Sequence, residues 1–340
     1  MRQFMLVALL STVAFLVGCQ TTSRQQLDQQ AIDHYVQGQM LASQGSTEAA
    51  LAELAKAIQL DGGLATAHSA MGDIYRKQQS YDLAARAYER AVQVNPYNFR
   101  NHYNLGVLRQ TLANAAGSIG EVKKQLYLAV EVYLRAITLR PDDYDANINL
   151  GVCYYQLGQL DKAEQYCKAA IALKEDKSPG HTNLGAVYDG QGKFYEAIAC
   201  YKKSLELDTR QPRVVMNLGT TYVKLGQYKS ALHAYQMVAD MDPKSAVPLE
   251  RLAYCHYYLE EYDKSVEVYQ AALAINPRFA DARRGLGVVY MTQYVRDTTR
   301  KELSDKALGE WNASLEINPN QPELAKLVQK YTPKSQVPGL

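Results

Sequence analysis

Apolar and small residues recur along most of the chain with the spacing of paired amphipathic helices. In the segment around residue 75, one predicted helix places three residues on one face: Met71, Gly72 and Tyr75. After a predicted turn at 78–80, a second helix does the same with four: Tyr81, Ala84, Tyr88 and Ala91. Asn95-Pro96 then ends the pair, because a proline disfavours the α conformation in the residue before it. This segment therefore predicts a helix-turn-helix unit.

The same unit recurs along the chain. The tripeptide Asn-Leu-Gly appears four times, beginning at Asn104, Asn149, Asn183 and Asn217. Its glycine, or the alanine that replaces it once, marks eight units: Gly38, Gly72, Gly106, Gly151, Gly185, Gly219, Ala253 and Gly287. Neighbouring markers lie 34 residues apart, except for one interval of 45. A period in this range indicates a solenoid.

The unit resembles the tetratricopeptide repeat. The resemblance rests on Leu-Gly-x-x-Tyr in the first helix, then Ala, Tyr and Ala in the second, then Pro, and it covers about residues 30–320. It implies an all-α fold, a right-handed superhelical solenoid of about eight helix-turn-helix repeats. Residues 321–331 predict a C-terminal capping helix, which solenoids need to cover their last apolar face, and residues 332–340 a tail.

Two units are longer than the others. Those near 99–143 and 280–320 contain 11 and 8 additional residues, respectively. Both insertions predict lengthened helix ends that project from one edge of the solenoid. Such projections are either docking sites or tolerated surface insertions, and the second is the commoner case.

The first residues have the pattern of an export signal. After Arg2, the apolar run from Phe4 to Val17 has 14 residues, fewer than the roughly 20 that cross a bilayer, so residues 1–18 are typical of a signal peptide. Leu16-Val17-Gly18-Cys19 resembles the lipobox of bacterial lipoproteins. That resemblance implies cleavage before Cys19, lipidation of Cys19 with palmitate among its acyl chains, and a polar tether over 19–29. Gln20 in place of Asp implies an outer-membrane lipoprotein that faces the periplasm.

Composition narrows the classes of partner. Basic and acidic residues nearly balance, with 37 Lys and Arg against 35 Asp and Glu, and no basic stripe appears. Nucleic-acid binding is therefore not expected. No other segment is apolar enough to span a membrane, so the lipid on Cys19 is the expected membrane link.

No motif predicts catalysis, a cofactor or a small-molecule substrate. The sequence contains neither Gly-x-Ser-x-Gly nor His-Glu-x-x-His, and DGQGKF at 189–194 lacks the first glycine of a phosphate-binding loop. Gly285 is interpreted as a neighbour of the repeat glycine and no more. The expectation is a protein that is not an enzyme, although an activity within the insertions stays an alternative.

Histidines and cysteines suggest packing more than metal binding. Four histidines lie four residues before a repeat glycine: His34, His68, His102 and His181. Helices in adjacent units lie roughly 8–10 Å apart, too far for one zinc ion with bonds of about 2 Å, so a core slot is expected and no metal site. Buried thiols are predicted for Cys153, Cys167, Cys200 and Cys255, with a Cys153–Cys167 disulfide left open.

The concave groove is the expected binding site, because first helices line it in this family and partner segments bind there. The predicted groove residues are Tyr103, Asn104, Val107, Ile148, Asn149, Val152, Tyr155, Asn183, Met216, Asn217, Val223, Tyr254, Tyr257 and Tyr258. Its asparagines either hold a peptide backbone or are simply frequent at this place in the family. The lysines and asparagines that clamp a C-terminal carboxylate in chaperone adaptors are absent from the matching positions, so an apolar or aromatic extended segment or a helix is the expected partner.

A lipid-anchored repeat solenoid resembles outer-membrane lipoproteins that assist assembly of type IV or related pili and of secretin pores. The expected function is thus a non-enzymatic protein–protein interaction scaffold in the cell envelope that aids pilus or secretion assembly. The alternative is an adaptor that recruits periplasmic proteases or cell-wall hydrolases.

Overall fold

A computed structural model describes residues 24–332 of the chain, and within that range the regular elements are α-helices with no strand. The structure divides into two compact units, Met1–Lys174 and Glu175–Leu340. The predicted signal peptide, Cys19 and most of the predicted tail lie outside the described residues.

Over the described residues 24–174, the first unit contains four helix pairs. Its eight helices are α1 (24–43), α2 (Thr47–Leu60), α3 (Ala65–Lys77), α4 (Tyr81–Val94), α5 (Phe99–Ala115), α6 (Ile119–Leu139), α7 (Tyr144–Gln156) and α8 (Leu160–Leu173). Each odd-numbered helix is the first helix of a repeat and each even-numbered helix is the second. The predicted turn at 78–80 is confirmed between α3 and α4. The predicted tether over 19–29 needs a correction, because the chain is already helical from residue 24.

The second unit contains four more pairs and one additional helix. Its elements are α9 (Ser178–Gly190), α10 (Phe194–Leu207), α11 (Pro212–Lys224), α12 (Tyr228–Met241), α13 (Ala246–Tyr258), α14 (Tyr262–Ile275), α15 (Ala280–Arg296), α16 (Lys301–Ile317) and α17 (Pro322–Tyr331). The helix α17 packs on α16 and buries Leu324. It occupies the place predicted for the capping helix.

The repeat glycines let the two helices of a pair approach closely. A Cβ built on Gly106 would lie 2.6 Å from the ring of Tyr133, and one on Gly219 would lie 2.6 Å from the ring of Tyr235. Any larger residue would force the helices apart, because interiors are close-packed. The residue facing the glycine defines what we call the tyrosine slot, occupied in successive repeats by Leu54, Tyr88, Tyr133, Cys167, Tyr201, Tyr235, Tyr269 and Trp311.

The two insertions lengthen helices on both sides of a turn. In the third repeat, α5 has 17 residues and α6 has 21, and in the eighth, α15 and α16 have 17 each. First helices elsewhere, such as α3, have 13 residues and second helices, such as α4, have 14. The added residues thus extend the end of the first helix and the start of the second.

The residues four positions before the repeat glycine tie each first helix to the turn that precedes it. His102 Nε2 lies 3.0 Å from the Pro96 carbonyl oxygen, and His181 Nε2 lies 3.0 Å from that of Glu175. Asn147 and Arg283 make the same contact six residues upstream, with Pro141 and Pro277. His68, His102 and His181 are all buried. These histidines fill core slots, and the contact with the turn is a role that the sequence pattern did not indicate.

The cysteines of the described residues are thiols, and no disulfide joins any two of them. Cys167 occupies the tyrosine slot of the fourth repeat, where a Cβ on Gly151 would lie 2.9 Å from its sulfur. Burial raises the pKa of Cys153 to about 12 and that of Cys255 to about 12. Thiols held so far from ionisation are poor nucleophiles, which fits a packing role.

Candidate functional site

The first helices of neighbouring repeats pack directly against one another within each unit: α5 with α7, α9 with α11, and α13 with α15. We call the surface that they form the inner face of the unit. All 14 residues of the predicted groove lie on these first helices. The structure places seven of them in each unit, so the two sets are described separately.

In the first unit, the predicted groove residues differ in exposure. Tyr155 is exposed over 41% of its surface, whereas five others are half-buried: Tyr103, Asn104, Val107, Asn149 and Val152. Ile148 contradicts the prediction, since it is only 7% exposed and packs with Tyr144 and Ala170. Three positions before the glycine, an aliphatic side chain lies close enough to the next helix to join the core.

The asparagines of the first unit have structural partners. The Asn104 amide donates to the Tyr88 hydroxyl at 3.0 Å, and the Asn149 amide to the Tyr103 hydroxyl at 3.4 Å. The Tyr88 hydroxyl in turn donates to Asp73 Oδ1 at 2.6 Å. Asparagine two positions before the glycine therefore satisfies the hydroxyl of a nearby tyrosine.

In the second unit, the predicted residues fall into two groups. Four are half-buried on α9 and α11: Asn183, Met216, Asn217 and Val223. Met216 and Val223 pack beside Tyr235 in the core. Part of their apolar surface is therefore buried within the protein, and only the rest faces solvent. The other three, Tyr254, Tyr257 and Tyr258, lie on α13, where the sequence predicted tyrosines without a packing role.

Those three tyrosines do pack, on one another and on two more rings, and Tyr254 and Tyr257 also pack against the hydrophobic core. Tyr258 stacks on Tyr228 with ring centroids 4.8 Å apart, and lies 4.7 Å from Tyr254 and 5.3 Å from Tyr257. Tyr257 also meets Tyr262 edge-on at 5.8 Å. Tyr258 nonetheless keeps 47% of its surface exposed. The mutual contacts hold the rings in place and leave their other faces open to a ligand.

This aromatic cluster forms one wall of a cavity of about 480 Å³, which we call the tyrosine pocket. Its lining comes from α13, α14, α15, α17 and the segment before α17: Glu250, Tyr254, Tyr257, Tyr258, Tyr269, Asp281, Arg284, Gly285, Val288, Asn318, Asn320, Gln321, Pro322, Glu323, Leu324 and Leu327. The volume is within the range of ligand pockets, roughly 300–1,000 Å³. Three residues predicted from the sequence thus meet in one concave site.

The interpretation of Gly285 as a mere neighbour of the repeat glycine is wrong. Gly285 stands two positions before Gly287, where four other repeats have asparagine. A Cβ at this position would collide with the Tyr269 hydroxyl. Gly285 therefore leaves the space above Tyr269 empty, and both residues line the pocket.

The hydroxyl of Tyr269 is unusual among the tyrosine slots. Tyr88, Tyr133 and Tyr235 hydroxyls bond Asp73, Gln110 and Thr220, respectively. Tyr269 is only 2% exposed, yet its hydroxyl has no hydrogen-bond partner in the described part of the chain. Its oxygen is not among the fully enclosed unpaired polar atoms of the described residues, so it is reached from the cavity. Its position at the pocket wall makes it available to a ligand.

Glu250 places a carboxylate at the same wall. Glu250 is only 6% exposed. Burial raises the pKa of its carboxyl group above the ordinary value, and the nearby charge of Arg251 acts to lower it. Arg251 Nε lies 3.3 Å from one carboxylate oxygen. The pocket's own guanidinium, Arg284, is paired with Asp281 at 2.8 Å. Glu250 is consequently a desolvated carboxyl group that lines the pocket and has Arg251 as its charged partner.

Other candidate chemistry has structural explanations. Gly192, in the segment that resembled a phosphate-binding loop, has a φ of +75° and forms the turn between α9 and α10. Within residues 24–332, no group of His, Cys, Asp and Glu is arranged to hold a metal ion. Over the same range, no helix combines the length and the apolarity needed to cross a bilayer.

Two family models match the sequence. One, described as the Cilia and flagella-associated protein 70 C-terminal domain, covers residues 20–273, and another, described as Tetratricopeptide repeat, covers residues 251–322. The first model matches more than half of the chain. The chain therefore belongs to the tetratricopeptide-repeat proteins. The repeats predicted from the sequence are thereby confirmed, and proteins with this fold bind peptides or other proteins. No curated protein matches the chain.

Solved structures of helical repeat proteins are similar to the chain. The Cut9–Hcn1 assembly of the APC/C has a TM-score of 0.54 at 16% identity, over 87% of this chain and 55% of that one. YrrB, a tetratricopeptide-repeat protein with an unusual peptide-binding site, has a TM-score of 0.48 at 24% identity, over 59% of this chain and 99% of its own. PilF of Pseudomonas aeruginosa has a TM-score of 0.48 at 19% identity, over 64% and 94%. At 16% identity, the similarity to the Cut9–Hcn1 assembly shows a shared fold and nothing about function.

Proposed function

We propose that the protein is a non-enzymatic scaffold that holds a segment of a partner protein in the tyrosine pocket. The observation that carries this proposal is the convergence of Tyr254, Tyr257 and Tyr258 with an open cavity on the inner face of the seventh and eighth repeats. Tyrosines with fixed rings supply large contact area at a small cost in side-chain entropy, as binding hot spots do. An extended segment or a helix presents side chains that fit such a cavity.

The site of action that we propose is the bacterial cell envelope. Cys19 is lipidated and anchors the protein in the outer membrane, with the repeats in the periplasm. The support is the sequence Leu16-Val17-Gly18-Cys19 after a short apolar run, with Gln20 following. Several acyl chains on one residue hold a protein firmly, whereas a single chain binds marginally.

The partner that we propose is a component of a pilus or of a secretin pore. A lipid-anchored repeat protein can hold such a component at the membrane while it assembles. The support is the combination of the lipobox-like sequence with tetratricopeptide repeats over most of the chain. Periplasmic proteases or cell-wall hydrolases as partners would instead make the protein an adaptor.

A pull-down of the lipidated full chain in detergent tests this function. Tyr258→Ala removes a ring that is 47% exposed at the pocket, and Tyr195→Ala, the matched control, removes one that is 69% exposed on the second helix α10. Mass spectrometry should identify a pilin or secretin component that is captured by the wild type and by Tyr195→Ala and lost with Tyr258→Ala. Equal capture by all three chains would contradict the proposal.

The anchor has a separate test. Cys19→Ala should abolish labelling with palmitate and release the protein from membranes, while the helical content stays the same. Labelling that persists in this variant would refute lipidation at Cys19.

A further inference from the structure

The charges around the tyrosine pocket point to the kind of side chain that it accepts. Three carboxylates line the pocket, those of Glu250, Asp281 and Glu323, against one guanidinium, that of Arg284. Arg284 is already paired with Asp281. Glu250 and Glu323 have basic partners as well, Arg251 and Lys326. Glu250 differs from the other two carboxylates because its side chain is only 8% exposed, so solvent screens its charge least.

Two buried groups at one wall can accept hydrogen bonds. The Glu250 carboxylate and the Tyr269 hydroxyl both line the cavity, and both residues are more than nine-tenths buried. The Tyr269 hydroxyl has no partner in residues 24–332. A ligand that donates to both groups would pair the Tyr269 hydroxyl and add a second partner to the Glu250 carboxylate, which has Arg251 on one oxygen.

The remaining wall favours a flat cation. Tyr254, Tyr257 and Tyr258 present aromatic rings within the same cavity, and an arginine guanidinium stacks on aromatic faces while its fork of N–H groups binds a carboxylate. The chain shows the ring contact twice elsewhere: Arg296 lies 4.7 Å over the Tyr262 ring, and Arg140 lies 4.5 Å over the Phe99 ring.

We propose that the tyrosine pocket binds an arginine side chain of an extended partner segment. The guanidinium lies against the tyrosine rings and donates hydrogen bonds to Glu250 and Tyr269, in the space that Gly285 leaves open. Leu324 and Leu327 of α17 contact the methylene groups of the same side chain or the residue beside it. This assignment rests on the proposed function, since it specifies what the partner places in the pocket.

Two blocked tripeptides test the assignment directly. Acetyl-Ala-Arg-Ala-amide and acetyl-Ala-citrulline-Ala-amide have nearly the same shape, and only the first is charged. Titration into the full chain, followed by NMR of the leucine methyl groups, should show shifts at Leu324 and Leu327. The arginine peptide should bind about tenfold more tightly than the citrulline peptide, as the loss of a charge-assisted hydrogen bond implies. Equal affinity of the two peptides would overturn the proposal.

Variants localise the preference to the pocket. Glu250→Gln should reduce the arginine preference to about twofold or less, because the neutral amide removes the charged acceptor and keeps the shape. Tyr269→Phe should weaken the arginine peptide without weakening the citrulline peptide as much. Glu267→Gln, the same change on the exposed face of α14 outside the pocket, should leave the preference at the wild-type value. A preference unchanged by Glu250→Gln would also overturn the assignment.

The outcomes separate this inference from the function on which it rests. Loss of partner capture with Tyr258→Ala, together with equal binding of the arginine and citrulline peptides, would leave the scaffold standing and remove the arginine. Tenfold arginine preference with capture that does not depend on Tyr258 would confirm the pocket's chemistry and contradict its role in capturing that partner.

Discussion

Two tyrosines in equivalent positions, Tyr88 in the first unit and Tyr269 in the second, have opposite polar surroundings. Both rings face a small residue and are buried, at 0% and 2% exposure. The Tyr88 hydroxyl donates to Asp73 and accepts from Asn104. The residue that corresponds to Asn104 beside Tyr269 is Gly285, and the Tyr269 hydroxyl has no partner in the described part of the chain.

The difference shows how one repeat position serves either structure or binding. With Asn104 two residues before its repeat glycine, the Tyr88 hydroxyl is satisfied within the protein. With Gly285 at the equivalent position, the Tyr269 hydroxyl opens into a cavity of about 480 Å³. A repeat protein can thus convert a packing position into a ligand position by one substitution, because the surrounding helices keep the same framework.

The largest expected loss of stability is the same for the two tyrosines, because both rings are buried. Tyr88→Ala and Tyr269→Ala should each lower the free energy of unfolding by about 3–5 kcal/mol, the usual result of removing a buried aromatic ring. Chemical denaturation of the two full-chain variants beside the wild type, followed by tyrosine fluorescence and circular dichroism, measures this loss. A loss below about 1 kcal/mol at Tyr269 would show that its ring is not part of the core, and the comparison would fail.

A smaller loss of stability should distinguish the asparagine that bonds Tyr88 from an asparagine beside the tyrosine pocket. Asn104→Ala removes a donor to the Tyr88 hydroxyl and should lower the free energy of unfolding by about 1 kcal/mol. The control is Asn320→Ala, an exposed asparagine beside the pocket whose side chain has no internal partner of this kind, and it should change stability by less than about 0.5 kcal/mol. Equal losses would mean that the hydrogen bond with Tyr88 contributes nothing.

The smallest expected effect concerns two carboxylates and depends on pH. Burial raises the pKa of Glu250, so the folded chain binds that proton more tightly than the unfolded chain. The carboxyl group therefore contributes most to stability below its unfolded pKa and loses this contribution as the pH rises through its folded pKa. Glu250→Gln should raise the unfolding temperature at pH 7, and this gain should disappear near pH 4.

Glu53 in the first unit supplies the opposite case for the pH measurement. Hydrogen bonds from Lys56 and then His34 lower the pKa of Glu53, so its contribution is present above the unfolded pKa and is lost as the pH falls through the folded pKa. Glu53→Gln should lower the unfolding temperature at pH 7. Thermal scans from pH 4 to pH 7 check both variants, and the same sign for both would contradict the assignment of Glu250 as a desolvated carboxyl group.

The fold followed from the sequence because its signals are periodic and local. The glycine marker, the tyrosine slot and the proline after each pair recur at fixed spacing, and each has a steric reason that holds in any repeat. The turn at 78–80 and the final helix over Pro322–Tyr331 followed from that register. The start of α1 did not, because residues 24–29 carry few apolar side chains that would mark a helix.

The site was only partly predictable, because it departs from the repeat. Three tyrosines of α13 were predicted for the groove, but Glu250, Tyr269 and Gly285 were not, and Ile148 was wrongly included. The common repeat pattern does not reveal Gly285, because its role comes from the absence of the asparagine side chain that four other repeats have at this position. A search for positions where one repeat breaks its own pattern would have found it, and the absence of a side chain there is visible in the sequence.

The most direct test of the account removes the two hydroxyl groups and nothing else. Tyr88→Phe should lower the free energy of unfolding by about 1–2 kcal/mol, because two hydrogen bonds are lost. Tyr269→Phe should change it by less than about 0.5 kcal/mol, because its hydroxyl has no internal partner. Denaturation of both variants beside the wild type gives the answer. A loss at Tyr269 as large as that at Tyr88 would mean that the hydroxyl is already satisfied within the protein, and the pocket would have no unpaired group to offer a ligand.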